Sequence, residues 1–438
     1  MPQIKTLPRD DATNGWTRTL PERIPRPAVK GETTADLLII GAGFAGLAAA
    51  WHYARLRPNE RVVLVDAQCV GDGASGRNSG FVLGVRHKAE DADVANLEPS
   101  LRVRRISQAA IGFLSEIVTS HQIRCDWKHD GMYIASSGPK GDEALENLAK
   151  ELELLGEPHR MLGASDVLGE TGTPHYRTML FSPNCILMQP GKLVRGLADA
   201  LPPNVALHEL SPVTRIAYGA TIHAETPQGS VRAPKLVLAV NAFAPEFGFF
   251  KRRVFPVRLY VSLTRPLTAA ERKLYTVKPW GILPAIHTVS PTMRFTEDHR
   301  LMMRSGYALN LAHDPGVSGH GEVRKVHQSM VRERFPMLPD LDIEHTWAGF
   351  VCLSRNFAHG LSIVADNVFT AVCENGVGAT KSTISGVCAA DLALGERNPL
   401  TDDLGSFGTP QQLPPSPFFE TGFTLKRRYE SWRDRHES

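Results

Sequence analysis

Apolar positions follow three rhythms along this chain, and each predicts a kind of element. Unbroken apolar runs, Asp36–Ile40 (DLLII), Arg61–Val65 (RVVLV) and Asn367–Cys373 (NVFTAVC), read as strands buried on both faces. Apolar and polar residues alternate over Cys125–Ser136, Arg252–Pro266 and Thr292–Gly306, with an Asp130-Gly131 turn signal in the first, and this predicts an antiparallel sheet. Helical spacing marks His87–Gln122, with Arg on the opposite face, and Lys140–Leu155, while Ser382–Leu394 reads as a helix of small residues.

The first strand runs straight into Gly41-Ala42-Gly43-Phe44-Ala45-Gly46 and an Ala-rich helix. Gly41 suits the tight turn, Gly43 the approach of backbone to a pyrophosphate, and Gly46 the packing of helix on strand. The helix N-terminus then faces the diphosphate with open N–H groups. The second strand ends in Asp66, about twenty residues beyond Gly46, where a carboxylate is expected to accept a ribose hydroxyl and to disfavour a phosphorylated ribose. This describes a dinucleotide site and leaves NAD and FAD both open. Next comes Gly73-Ala74-Ser75-Gly76-Arg77-Asn78-Ser79-Gly80, too rich in small and polar residues for a core element, which reads as a loop hugging a ligand. Its Arg77 and Asn78 are expected to add side-chain donors.

With this GASGRN loop the chain resembles the D-amino-acid oxidase superfamily of FAD-dependent amine oxidoreductases, and within it the γ-glutamylputrescine oxidase-like branch. Glu374-Asn375-Gly376-Val377-Gly378-Ala379-Thr380, after the NVFTAVC strand, looks like the superfamily's closing flavin motif. Gln189–Arg195 resembles the helix start that follows its substrate-domain excursion, and Leu236–Asn241 (LVLAVN) its late nucleotide-domain strand.

The resemblance implies a fold of α/β plus antiparallel β, a Rossmann-like FAD-binding domain interleaved with a substrate domain on a mixed or antiparallel sheet. The expected division is an arm over 1–31, an FAD domain over 32–86, 148–245 and 345–400, a substrate domain over 87–147 and 246–344, and a tail over 401–438. Gly41, Gly43, Phe44, Ala45, Gly46, Asp66 and Ala67 would hold the ADP half, and Ala74, Ser75, Gly76, Arg77 and Asn78 the middle. Val213, Ala239, Asn241, Gly376, Gly378, Ala379 and Thr380 complete the expected cofactor set.

The resemblance further implies that flavin takes a hydride from the carbon beside an amine nitrogen, giving an imine that hydrolyses to an aldehyde or keto acid. Such chemistry needs no protein nucleophile. Candidates for the substrate layer are Arg258, Tyr260, Arg294, Arg304, His345, Trp347 and Arg355, since an arginine facing a pocket reads an anion bidentately, although most arginines on a half-buried sheet face solvent. Cys352 stands where sarcosine oxidase-like relatives attach flavin covalently, but a buried thiol is the commoner use of Cys. The loop after the second strand lacks the alternative attachment histidine, so noncovalent FAD is the expectation. Thr380 stands where those relatives carry a lysine that speeds transfer to dioxygen. Arg304 and Lys381 are the cations that could replace it, and oxidase and dehydrogenase both stay open.

Composition narrows the partners. A net charge of +3 over 438 residues gives no reason to expect nucleic acid or membrane. The basic cluster Lys426-Arg427-Arg428 with Arg433 and Arg435 reads as a solvated helix face or an oligomer contact. No apolar run is long enough to span a bilayer, and six cysteines without C-x-x-C spacing suit a reducing compartment. The expectation is a cytoplasmic monomer or small homo-oligomer with free thiols and no metal, acting on a small amine with dioxygen or another acceptor. An NAD-linked dehydrogenase and a tRNA side-group oxidase are the rival readings.

Overall fold

The computed structural model describes residues 3–86, 88–287 and 289–437; His87, where the expected helical stretch begins, lies outside the described residues, as do Met1, Pro2, Thr288 and Ser438. Leu37–Ile40 is buried at all four positions and sits centrally in a six-stranded sheet. Val62–Val65 and then Val205–His208 flank it on one side; Lys235–Leu238, Val368–Val372 and Gly360–Ala365 follow on the other. All pairs are parallel except the edge hairpin Gly360–Ala365/Val368–Val372. The helices Phe44–Leu56 and Thr383–Leu394 cover this sheet. They meet backbone to backbone: a Cβ on Gly386 would lie 2.0 Å from the Ala45 carbonyl oxygen.

An eight-stranded sheet carries the second part of the molecule, in the order Ile343–Ser354, Val254–Thr264, Leu301–Leu309, Thr292–Phe295, Trp280–Pro284, Met132–Ser136, Thr178–Ser182 and Arg160–Gly163. Its pairing is antiparallel except between Trp280–Pro284 and Met132–Ser136. The expected boundaries shift accordingly. Thr178–Ser182 pairs back onto Met132–Ser136, so the excursion from the nucleotide part runs past 147 to 182. Ile343–Ser354 pairs along the whole of Val254–Thr264, so the return comes after 354 rather than at 345. Long-range pairing decides both points. The expected helical stretch also starts later, since the long helix is Glu98–Ser120, burying Ile106, Ala110, Leu114 and Ile117 on one stripe.

The arm and the tail are built into the body. Asn14 caps the short helix Gly15–Arg18 and donates to the carbonyls of Gly71 (3.2 Å) and Gly76 (3.0 Å). Trp16 is buried edge-on against Trp347 at 5.9 Å between centroids. At the other end, Phe418–Arg433 forms a helix across the eight-stranded sheet. Glu437 then accepts from the N–H groups of Lys140 (3.0 Å) and Gly141 (2.9 Å) at the start of the helix Pro139–Leu154, which fixes the chain end. Among the described residues no helix is long and apolar enough to cross a membrane, and all six cysteines are free.

Candidate functional site

A cavity of about 1300 Å³ runs from the Gly41–Phe44 turn to the eight-stranded sheet. Its nucleotide end is shaped by glycines that leave no room for a side chain. Gly41 has φ +102°, and a Cβ on Gly43 would lie 2.7 Å from Ser75 Oγ. Gly46 lies beneath the cavity wall, where a Cβ would come within 1.7 Å of the Gly41 carbonyl oxygen. The helix Phe44–Leu56 begins without a side-chain cap or an acidic residue in its first turn, so its N-terminus presents open amides, apart from Phe44 N–H, which donates to Ser75 Oγ at 3.0 Å. Phe44 and Ala45 line the cavity with Gly41 and Gly43, as do Asp66 and Ala67.

Asp66 accepts from the Ala42 N–H at 2.6 Å and the Gln68 N–H at 2.8 Å. Burial raises its carboxyl to about 6, against these two donors, which favour the ionised form. Flavin affinity is therefore expected to weaken as the pH falls through that value, because the protonated carboxyl is a poorer acceptor for a ribose hydroxyl. Fluorescence of released flavin above and below it reads the effect, and Asp66→Asn should flatten the profile. An equally steep profile in that variant would move the titrating group elsewhere.

The loop Gly73–Gly80 meets the cavity with Ala74, Ser75, Gly76, Arg77 and Asn78. Two of its expected donors are engaged within the protein. The buried Arg77 guanidinium donates to Asp10 and Asp11 of the arm (2.7 Å each), to the Ala348 carbonyl (3.0 Å) and to the Asp72 carbonyl (2.6 Å). Asn78 donates to the Ser75 carbonyl and accepts from the Gly80 N–H at 2.8 Å. Both side chains shape the loop through these bonds.

At the far end the strand Val368–Val372 opens into a turn of left-handed residues, Cys373 (φ 62°), Asn375 (φ 55°) and Gly376 (φ 87°). The Asn375 side chain pins this turn, accepting from the Ser354 N–H and donating to the carbonyls of Phe357, Ala358 and Cys373. A single π-type turn, Gly378–Ser382, then leads into the helix Thr383–Leu394. Gly376, Gly378 and Ala379 line the cavity, together with Val213, Ala239 and Asn241. Thr380 is buried behind them with an Oγ1 that has no partner among the described residues, and Asn241 has a buried Oδ1 equally without one and a left-handed backbone. Uncommitted polar atoms of this kind, with the glycine cradle and Asp66, suit a bound dinucleotide such as FAD.

The substrate-layer candidates separate sharply. Along Val254–Thr264, Phe255, Val257, Leu259 and Val261 face the cavity, so Arg258 and Tyr260 point the other way. Arg258 donates to Asp314 and Tyr260 packs edge-on to His320. Arg294 is buried and donates to the carbonyls of Ser79, Gly80 and Met188, so it supports the ligand loop from behind. Trp347 does likewise through Nε1 to the Arg77 carbonyl at 3.1 Å, and His345 lies beside Gly15, off the cavity wall. Cys352 is buried against Ala242, Val254 and Cys373, away from the cavity wall, and burial holds its thiol well above the usual range. Lys381 sits over the Phe407 ring at 5.4 Å, outside the cavity wall, and its charge reaches the cavity through the lining residue Glu374.

Arg304 and Arg355 do line the cavity. Arg304 donates to Thr292 Oγ1 at 2.5 Å and has no acidic partner among the described residues. Burial alone lowers its guanidinium to about 10, so it remains cationic at neutral pH. Sequence reasoning missed the rest of this wall. The arm supplies Arg9 and Asp11, and the C-terminal helix supplies Phe419, Phe423 and Arg427. The spacing of Phe419 and Phe423, one helical turn apart, was the available signal for the helix; the arm carried none.

Comparison with known proteins agrees with this architecture. The chain is 26% identical over 429 residues to the gamma-glutamylputrescine oxidoreductase of Escherichia coli K12, covering 94% of this chain and 95% of that protein. It is also 26% identical over 397 residues to the probable oxidoreductase OrdL of Rhizobium meliloti, covering 88% and 89%. Glycine oxidase from Geobacillus kaustophilus has the same fold, with a TM-score of 0.72 at 17% identity over 87% of this chain and all of that one. Residues 36–392 match the DAO family, FAD dependent oxidoreductase, and the chain belongs to that family.

Proposed function

We propose that this enzyme binds FAD noncovalently and oxidises a primary or secondary amine that also carries a carboxylate or similar anion. Arg304 is the observation that carries the reading: a guanidinium facing the cavity, partnered among the described residues only by a threonine hydroxyl, lacks there the anion that would offset its burial. The name of the Escherichia coli relative, a γ-glutamyl amine oxidoreductase, supports an amine with a distal carboxylate. Noncovalent binding is supported by the position of Cys352 outside the cavity wall.

When bound, FAD supplies the hydride acceptor that converts the amine to an imine, and water then releases an aldehyde or keto acid. The chain's own work is positional. The amides of Gly43 and Ala45 would meet the pyrophosphate, Asp66 the ribose, and the turn Gly376–Ala379 the ring. Phe81, Phe255 and Leu259 present apolar surface to the substrate end and would exclude water there, while Arg304 would hold the anion of the substrate.

Anaerobic addition of primary, secondary and carboxylated amines to the flavin-loaded protein tests this. Bleaching of the visible flavin absorbance is expected with carboxylated amines, and admitting air then separates dioxygen from another acceptor by the rate at which colour returns. A flavoprotein that none of them bleaches would remove amine oxidation.

A further inference from the structure

Beside the closing turn stands a carboxylate that neither the glycine cradle nor the anion site uses. Glu374 comes just after the strand Val368–Val372, lines the cavity and is 9% exposed. Its side chain lies along the turn that would meet the flavin ring: a Cβ on Gly378 would come within 3.7 Å of Glu374 Cγ and 3.9 Å of its Oε1. Lys381, one turn further on, acts on it by charge alone, with no hydrogen bond between the two. Burial pushes the Glu374 carboxyl up to about 7, against its own backbone N–H, the charge of Lys381 and the side chain of Asn241, all of which favour the ionised form. The other titratable groups packed here are Cys373, which precedes it, Cys352, whose thiol burial holds well above the usual range, and His359, which burial lowers to about 3. Lys381 is itself lowered to about 8, by burial and by the charges of Lys88 and Arg86 behind it.

We infer that Glu374 is the proton acceptor that accompanies reduction of the flavin. The inference rests on the reading that sets the turn Gly376–Ala379 against the ring. A hydride entering the ring adds negative charge, and a second negative charge on a buried carboxylate beside it is disfavoured, so the carboxylate takes up a proton as the ring is reduced. The count closes in turnover. The ammonium form of the amine loses its C–H hydride to the flavin and one N–H proton to the Glu374 carboxylate, an iminium ion leaves, and the net charge is the same before and after. Reoxidation by a two-electron acceptor takes the hydride and this proton together and restores the carboxylate.

The reduction potential of the flavin-loaded protein, measured against reference dyes without substrate, tests this. Above about pH 7 the unmodified protein is expected to take up two protons per two electrons, and Glu374→Gln one, so the pH slope should halve in the variant. Lys381→Met should start the steep segment at higher pH, because losing that cation favours the neutral carboxyl. If Glu374→Gln does not hold flavin, infrared difference spectra of the unmodified holoenzyme decide: reduction should convert a carboxylate signal into that of a carboxylic acid. Equal slopes in the unmodified protein and Glu374→Gln, a steep segment that Lys381→Met abolishes, or an unchanged carboxylate signal on reduction each overturns the inference. None of these readouts uses an amine, so they are separate from the bleaching test: a single-proton slope in an enzyme that amines bleach removes Glu374 and leaves amine oxidation standing.

Discussion

Arg304→Leu is expected to lower kcat/KM for a carboxylated amine by at least about a hundredfold while the protein keeps its flavin. Breaking a desolvated charge pair costs about 3 kcal/mol, and each 1.4 kcal/mol is roughly a factor of ten. Arg304 is on the strand Leu301–Leu309, in the part of the cavity formed by the eight-stranded sheet, so the dinucleotide end is untouched. The loss should fall mainly on anionic substrates, and an uncharged amine should lose little. Arg304→Lys keeps the charge and loses the planar fork, so an intermediate loss is expected. Melting of the ligand-free variant supplies an independent reading. The cation lacks an acidic partner among the described residues and burial disfavours its charged form, so Leu at this position should leave the melting temperature unchanged or raise it modestly. Equal losses on charged and uncharged amines would mean that Arg304 shapes the pocket without reading an anion.

Gly46→Ala should yield a colourless protein of lowered stability. The added methyl would lie 1.7 Å from the Gly41 carbonyl oxygen and 3.4 Å from Ala239 Cβ, so the helix must lift off the strand that the turn joins. Overpacking against backbone costs about 3 kcal/mol or more, since backbone cannot rotate aside as a side chain does. The displaced helix N-terminus then no longer aims its amides at the pyrophosphate position. Gly112→Ala is the matched control: it lies in the helix Glu98–Ser120 with nothing within 4 Å of the new methyl, and should stabilise by about 0.5–1 kcal/mol. Flavin absorbance and thermal melting of the two variants, side by side, check both. A yellow Gly46→Ala protein with unchanged melting would show that the helix can shift without cost.

How much was legible in the sequence depends on how far each feature reaches along the chain. The dinucleotide end is local: strand, three glycines, helix, second strand and Asp66 follow one another within about thirty residues, and each is required by steric or hydrogen-bonding limits that operate over a few bonds. The closing turn at Cys373–Ala379 is local in the same sense, a buried strand, a glycine-rich reversal and a helix of small residues.

The substrate end is different in kind. Alternation along Val254–Thr264 announced two faces, but nothing local says which one meets the cavity. Pairing with Leu301–Leu309 and Ile343–Ser354 chose Val257 and Leu259, and turned Arg258 and Tyr260 away. Arginines in sequence are equally cationic, yet Arg294 is taken up by carbonyls of Ser79, Gly80 and Met188, and Arg77 by Asp10 and Asp11, while Arg304 keeps a face toward the cavity.

The sequence by itself thus determined the strands, the glycine turns and the cofactor class, because backbone conformation and close approach are settled among neighbours in the chain. Only the tertiary structure decided which charges stay available for a ligand, how the arm closes over the loop Gly73–Gly80, and that the basic C-terminal segment is a helix walling the cavity. Those outcomes depend on partners up to hundreds of residues away, and a side chain's freedom to bind is defined by which of them reach it first.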